Sequence, residues 1–155
     1  MARLKETYLA SDQMDYRRRE TGDRAITREH ANKGFAATIG GGAEAGKKTN
    51  RPVAELTDGN ADVIIGAVTS VGEDGCNVVR DGRFVLQAVG AGDITHLRRK
   101  IVGDATDGNE GKVAPHGGAS AVPADFAQQG ELAIIGFDND TTEGGIGHHY
   151  LVERL

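Results

Sequence analysis

The run Gly41-Gly42-Ala43-Glu44-Ala45-Gly46-Lys47-Lys48 comes within one residue of a phosphate-binding loop. In such a loop two glycines and a lysine wrap backbone N–H groups around phosphates, and a hydroxyl residue next to the lysine holds Mg²⁺. Lys48 occupies the hydroxyl position, Thr49 comes one residue late, and Pro52 interrupts the helix that should follow. The stretch therefore reads as a flexible linker. Arg17-Arg18-Arg19 is the densest basic run. Its guanidinium forks suit carboxylates, so it is either a solvated patch beside Asp12, Asp15, Glu20 and Asp23 or a clasp on an acidic protein surface. Those neighbouring acids dilute its field for nucleic acid.

Other chemistry is sparse. Asp138-Asn139-Asp140 opens like a calcium loop, but the sixth position is Glu143 rather than glycine and the twelfth is His149 rather than glutamate. A polar turn fits better. His148 and His149 are adjacent, and adjacent strand residues point to opposite faces, so a shared metal is not expected. Ser11, Ser70 and Ser120 stand in no nucleophile elbow. Cys76 is the single cysteine, so neither an internal disulfide nor a cysteine zinc set is expected, and it reads as a small packed residue in a reducing compartment. Seven aromatics and no tryptophan make a thin stacking platform. No catalytic residue, cofactor or metal is expected.

Eighteen Lys and Arg against 23 Asp and Glu give 155 residues a net charge of −5, which argues against a partner held by phosphate charge. No apolar run approaches the roughly 18 residues of a membrane span, and Arg3 and Lys5 lead into no secretory leader. Leu, Ile, Val and Phe number only 7 in residues 1–60 but 26 in residues 61–155. The first segment therefore offers little burial to offset its ordering entropy. The expectation is a long, largely irregular N-terminal arm over 1–60 and a folded all-β domain over 61–155.

Within the arm, 34–39 could form a short strand. In the domain, 62–69, 76–80 and 83–89 read as strands joined by an acidic glycine turn and by Asp81-Gly82, a strong hairpin signal, and so predict a three-strand meander. Short strands follow near 100–102 and 112–114. Residues 115–130 read as irregular, and 131–137 with 148–152 as a final hairpin. Ile64-Ile65-Gly66 with Glu73 and Gly75 recurs 70 residues later as Ile134-Ile135-Gly136 with Glu143 and Gly145. That echo suggests two related hairpins packed face to face in a barrel or sandwich.

The order of these pieces resembles the head decoration, or capsid cement, proteins of tailed bacteriophages, which have a β-tulip fold. Ile65-Gly66-Ala67 leads to the acidic turn at Gly75, then Gly82-Arg83-Phe84-Val85-Leu86. Gly103-Asp104-Ala105-Thr106 precedes Gly111-Lys112-Val113, and Ile135-Gly136 runs through Gly145 to Leu151-Val152. The resemblance covers the whole proposed domain. Two features depart from it: the long segment before residue 61, and the basic run Arg98-Arg99-Lys100 where a polar turn is expected. It implies a non-enzymatic virion protein on the outer capsid, partnered by the major capsid protein and by copies of itself, commonly as a trimer, with no nucleic acid or membrane partner. The arm would contact the capsid through Arg17, Arg18, Arg19, Arg24, Arg28, Phe35 and Ile39. The same composition also admits another virion β-module, such as a tail or fibre component, or more remotely a nucleotide-using enzyme built on Gly41–Lys48.

Overall fold

A computed structural model describes residues 16–40, 51–73, 75–118, 120–139 and 147–155. Short β-strands dominate, and the helical residues form single 3-10 turns at Arg28–His30, Ile94–His96 and Pro123–Asp125. The first sheet contains β1 (Arg17–Arg18), β2 (Ala36–Gly40), β3 (Val53–Leu56), β4 (Gly66–Val71) and β5 (Cys76–Val79) in the order β1-β3-β2-β4-β5. Only the β1–β3 pair is parallel. The second sheet places β10 (His149–Arg154) between β6 (Arg83–Gln87) and β9 (Leu132–Asp138), all antiparallel. A two-stranded ladder joins β7 (Ile101–Gly103) to β8 (Val113–Pro115). The all-β expectation therefore holds. Among the described residues none of the sheets closes on itself, although Tyr16 and Cys76 exchange two backbone hydrogen bonds between the outer strands of the first sheet, at 3.1 and 2.9 Å.

The first sheet is buried on both faces, because alternate side chains enter two different cores. Ala36, Ala67 and Val79 join Phe84, Leu86, Val113, Ile134, Tyr150 and Val152 in the core shared with the second sheet. Their strand neighbours Ala37, Val68 and Val78 point the other way, into a cluster with Tyr16, Ile26, Ala54, Leu56, Val71 and Cys76. This geometry corrects the expected division at residue 60. Residues 16–40 and 51–60 supply three of the five strands in this sheet and five of the nine buried residues of its second core. Counting Leu, Ile, Val and Phe missed this half because much of its interior is alanine and buried polar side chains. Ala36, Ala37 and Ala54 are fully buried, as are Thr57 and, nearly so, Thr38 and Glu55.

The meander is corrected as well. β4 and β5 form a hairpin, but Asp81-Gly82 turns the chain out of that sheet, and β6 pairs with β10 instead. Gly82 supplies the left-handed turn at φ +76°. Arg154, at the end of β10, fixes the corner by donating from Nε to the Arg80 carbonyl at 2.7 Å. The β4–β5 and β9–β10 hairpins, which carry the internal echo, lie in different sheets and meet across the shared core. Each has one extra residue on its first strand, Thr69 in one and Ile135 in the other, so the two bulges are not at equivalent positions.

Candidate functional site

The clustered arginines mostly turn inward. Arg18 donates from Nε to the Gly72 carbonyl at 2.9 Å and from its two terminal nitrogens to Ile26 and Glu73 carbonyls at 3.1 Å each. It thereby ties β1 to the tip of the β4–β5 hairpin. Arg19 Nη1 donates to Glu55 Oε2 at 2.6 Å, and its Nε reaches the Thr21 carbonyl at 3.1 Å. Arg24 holds the Leu56 carbonyl at 2.9 Å and Asp62 Oδ2 at 2.7 Å, with Glu55 Oε1 at 3.3 Å from the same Nη2. Strand-end carbonyls and one buried carboxylate thus take up guanidinium donors that sequence reasoning assigned to a capsid. Of the seven expected contact residues, only Arg28 and Ile39 are exposed. Arg17 and Phe35 are half-buried, and the Phe35 ring stands edge-on to His30 with centroids 4.7 Å apart.

A second polar cluster escaped the sequence reading. Asp125 closes the turn Pro123–Asp125 and is 5% exposed. Its Oδ2 accepts from the Val122 N–H at 2.8 Å, and its Oδ1 lies 2.7 Å from His116 Nδ1. The Val122 N–H first, then His116, hold the Asp125 carboxyl below its ordinary range. An ionised carboxylate can only accept, so Nδ1 is the protonated nitrogen of this pair. Beneath this pair lies Arg99, 2% exposed, which donates from Nη1 to the Gly118 carbonyl at 2.8 Å. Tyr150 is buried nearby; desolvation raises its phenol pKa, while the Arg99 charge opposes the rise. His116 and Asp125 sit in a Gly/Ala/Pro-rich stretch with no periodicity, so Pro123 at the start of a turn was the only available cue.

His116 borders a cleft of about 290 Å³ whose walls include Ile64, Ile101 and Leu132 together with Asp62, Lys100 and Glu131. An oriented imidazole is the starting point for general-base chemistry. Here, however, the neighbouring charges pair with one another: Lys100 lies 3.6 Å from Glu131, and Asp62 holds Arg24. No hydroxyl or thiol nucleophile bonds to His116 among the described residues. The arrangement acts as a cross-link between the loop 116–125 and β7, since the Asp125 carbonyl also accepts from the Lys100 N–H at 3.0 Å.

A more polar cleft of about 430 Å³ surrounds His30 with Asp23, Glu29, Lys33, Glu110 and Lys112. His30 Nδ1 accepts from the Thr27 N–H at 2.9 Å, and burial lowers the imidazole pKa. Among the described residues no three His, Cys, Asp or Glu side chains gather as a metal site. Cys76 is fully buried. The phosphate-loop-like run Gly41–Lys48 and most of the calcium-like turn lie outside the described residues. No helix among the described residues is long and apolar enough to cross a membrane. Comparison with known proteins leaves the geometry to speak alone: no family model, no curated protein and no solved structure matches this chain.

Proposed function

We propose that this chain is a structural virion protein with a tulip-like β fold, which binds the outer surface of a tailed-phage head and secures joints between major capsid subunits. The observation that carries the reading is the order of the pieces resembling cement proteins, each of which falls at a strand. Ile65-Gly66-Ala67 enters β4, Gly82 to Leu86 runs into β6, and Gly103 ends β7. Gly111-Lys112-Val113 enters β8, Ile135-Gly136 lies within β9 and Leu151-Val152 within β10. The paired state of the polar clusters fits the same role. A protein whose buried charges are consumed in holding short strands together presents a stiff surface, and stiffness lowers the entropy cost of docking many copies on a lattice. In this reading the protein performs no catalysis, takes no cofactor, and adjoins copies of itself, commonly three, on the particle.

The test is to look for a major capsid gene beside this one, assemble heads from its product and image them with and without the purified chain. The expected result is added density at repeated lattice positions over the whole head, with disruption of the heads shifted to higher temperature. Density confined to the tail, or no binding at all, would refute it.

A further inference from the structure

The chain runs through one strand arrangement twice. In the first sheet Arg18 of β1 lies parallel to Ala54 of β3, and Ala54 is antiparallel to Ile39 of β2. Elsewhere Ala88, just past β6, lies parallel to Val113 of β8, and Val113 is antiparallel to Gly103 of β7. A hairpin comes next in both: Ala36 pairs with Ala67 of β4, and Lys100, just before β7, pairs with Ala133 of β9. Two residues beyond that pair each hairpin carries its extra residue, Thr69 or Ile135. These residues are 66 positions apart, as are Ala67 and Ala133, so the bulges coincide at this spacing although not at the 70 of the sequence echo. Finally the last strand meets the first: Cys76 of β5 bridges Tyr16, and Tyr150 of β10 pairs with Leu86 of β6. The order β1-β3-β2-β4-β5 thus recurs as β6-β8-β7-β9-β10.

The connections repeat as well. Between the first two strands of each set stands a 3-10 turn that ends on a histidine, Arg28–His30 and Ile94–His96. Each histidine Nδ1 accepts from the N–H of the residue before the turn, Thr27 at 2.9 Å and Asp93 at 3.2 Å. Two residues after each histidine the backbone enters the left-handed region, at Asn32 (φ 56°) and Arg98 (φ 71°); no other non-glycine residue among the described ones does so. Their N–H groups end on equivalent carbonyls, Val68 at 3.2 Å and Ile134 at 2.6 Å. Inward side chains match in place but not in size. Tyr16, Ala37, Ala54, Val68, Cys76 and Val78 lie in one core, and their counterparts Leu86, Ile101, Val113, Ile134, Tyr150 and Val152 lie in the other. The ring that the first core takes from Tyr16, opposite Cys76, the second takes from Tyr150, opposite Leu86. A shared register over five strands, with the same bulge and the same two backbone outliers, is the mark of a repeated unit whose side chains have since diverged.

We infer that residues 16–80 and 83–155 are two copies of one β unit, and that the second copy is the docking partner of the first copy's outer face at Ala36, Ala67 and Val79. Those three point away from their own core and are buried in the cluster that holds Phe84, Val85 and Leu132 of the second unit. β6 fastens the joint: Gln87 donates from its N–H to the Gly34 carbonyl and from Nε2 to the Lys33 carbonyl, each at 2.8 Å. On the second unit the same three places are held by Lys100, Ala133 and Glu153. Both charged side chains are partly exposed, Lys100 beside Glu131 at 3.6 Å and Glu153 beside Arg83 at 3.7 Å. One unit therefore carries an apolar docking face and the other a charged version of it, so the stacking ends at two. The inference does not depend on the capsid reading.

The experiment moves the ring across the first core and follows thermal unfolding of the full chain for the wild type, Tyr16→Leu, Cys76→Tyr and both together. Tyr16→Leu leaves a void beside Cys76, and Cys76→Tyr overfills the core, so each lowers the melting temperature by roughly 5–10 °C. Together they reproduce the Leu86–Tyr150 pair. The Arg80 bond to the Tyr16 hydroxyl, at 3.0 Å, is not restored. The double variant therefore recovers to within about 4 °C of wild type. If Cys76→Tyr yields no folded protein, a folded double variant gives the same support. A double loss equal to the sum of the single losses, or a double variant that does not fold, overturns the duplication. Val79→Glu and Glu153→Val exchange the counterparts on the two outer faces. Val79→Glu lowers the melting temperature by about 5 °C or more, whereas Glu153→Val stays within about 2 °C because its pair with Arg83 is largely open to water. Equal shifts at the two positions, or none at Val79, overturn the docking.

Discussion

Glu55 is the most informative single position in the half of the fold that the composition hides. Its carboxylate is 8% exposed and receives Arg19 at 2.6 Å and Arg24 at 3.3 Å. Glu55→Gln keeps the size and one acceptor oxygen but removes the charge. Arg24 retains Asp62 at 2.7 Å, whereas the Arg19 guanidinium is left with the Thr21 carbonyl. A wholly buried pair broken on one side costs about 3–5 kcal/mol, and an exposed pair about 0.2–1 kcal/mol. Arg19 and Arg24 are 27% and 23% exposed, so water rehydrates them in part and places the expected loss between these limits. A value of about 2 kcal/mol corresponds, for a chain of this size, to a melting temperature lower by roughly 4–8 °C. Thermal and urea unfolding of Glu55→Gln, Arg19→Met and the double variant would read both the loss and the coupling between the two side chains. The same curves test the integration of residues 16–60, because one cooperative transition must carry the whole effect. A Glu55→Gln protein that melts within a degree of wild type would refute the reasoning, as would a loss confined to a separate, earlier transition.

Other perturbations have clear directions. A methyl at Gly66 would overlap the backbone carbonyl of Val79 across the β4–β5 ladder, so Gly66→Ala should cost about 3 kcal/mol or more, read as a drop in the urea midpoint. Burial lowers the His30 pKa below its ordinary 6.5, so the unfolded chain takes up the proton first. Stability should therefore fall as pH drops from about 6.5 through the lowered folded value, and His30→Gln should remove that slope from a series of melts at different pH. Arg18→Ala frees three carbonyls, and hydrogen exchange should show faster opening at the tip of the β4–β5 hairpin than in β9 and β10. Residues 61–155 expressed alone should not fold cooperatively, because β4 loses β2 and Val68, Val71 and Val78 lose most of their cover, an exposure on the order of 5 kcal/mol. A dispersed NMR spectrum from that fragment would contradict this.

The strands were legible where burial and β-branching coincide. Val68, Val78, Val79, Val85, Ile101, Val113, Ile134 and Val152 all lie in stretches that the sequence marks as strands, and all are buried. Strand partnership was not legible. Asp81-Gly82 carries a local turn preference, but the neighbour of β6 is β10, a strand some sixty residues further along the chain, and Arg154 at its end meets the Arg80 carbonyl. The first sixty residues were misjudged for a related reason. Alanine contributes nothing to a count of large apolar residues, yet Ala36, Ala37 and Ala54 let strands and side chains approach closely on both faces of one sheet. Arg99 shows the same limit from the other side. The basic run at 98–100 stands where a polar turn is expected, but the middle residue is 2% exposed and ends on loop carbonyls. The His116–Asp125 pair sits in a segment without periodicity, where only tertiary structure brings the two together.

The arginines explain how so alanine-rich a sheet stays in place. Small side chains bury little area, so the hydrophobic gain per residue is low and the backbone must be secured by other means. Arg18, Arg24 and Arg154 each reach carbonyls on segments remote in sequence, at Gly72, Leu56 and Arg80 respectively. A guanidinium has several donors on one planar head, so a single side chain can satisfy carbonyls at strand ends that no ladder reaches. The net gain per bond is modest, but leaving those carbonyls unpaired within a partly buried edge would cost more than forming the bonds gains. Charge in this protein therefore serves chiefly as a fastening between strands. That use is why the basic clusters of the sequence, read in isolation, pointed outward.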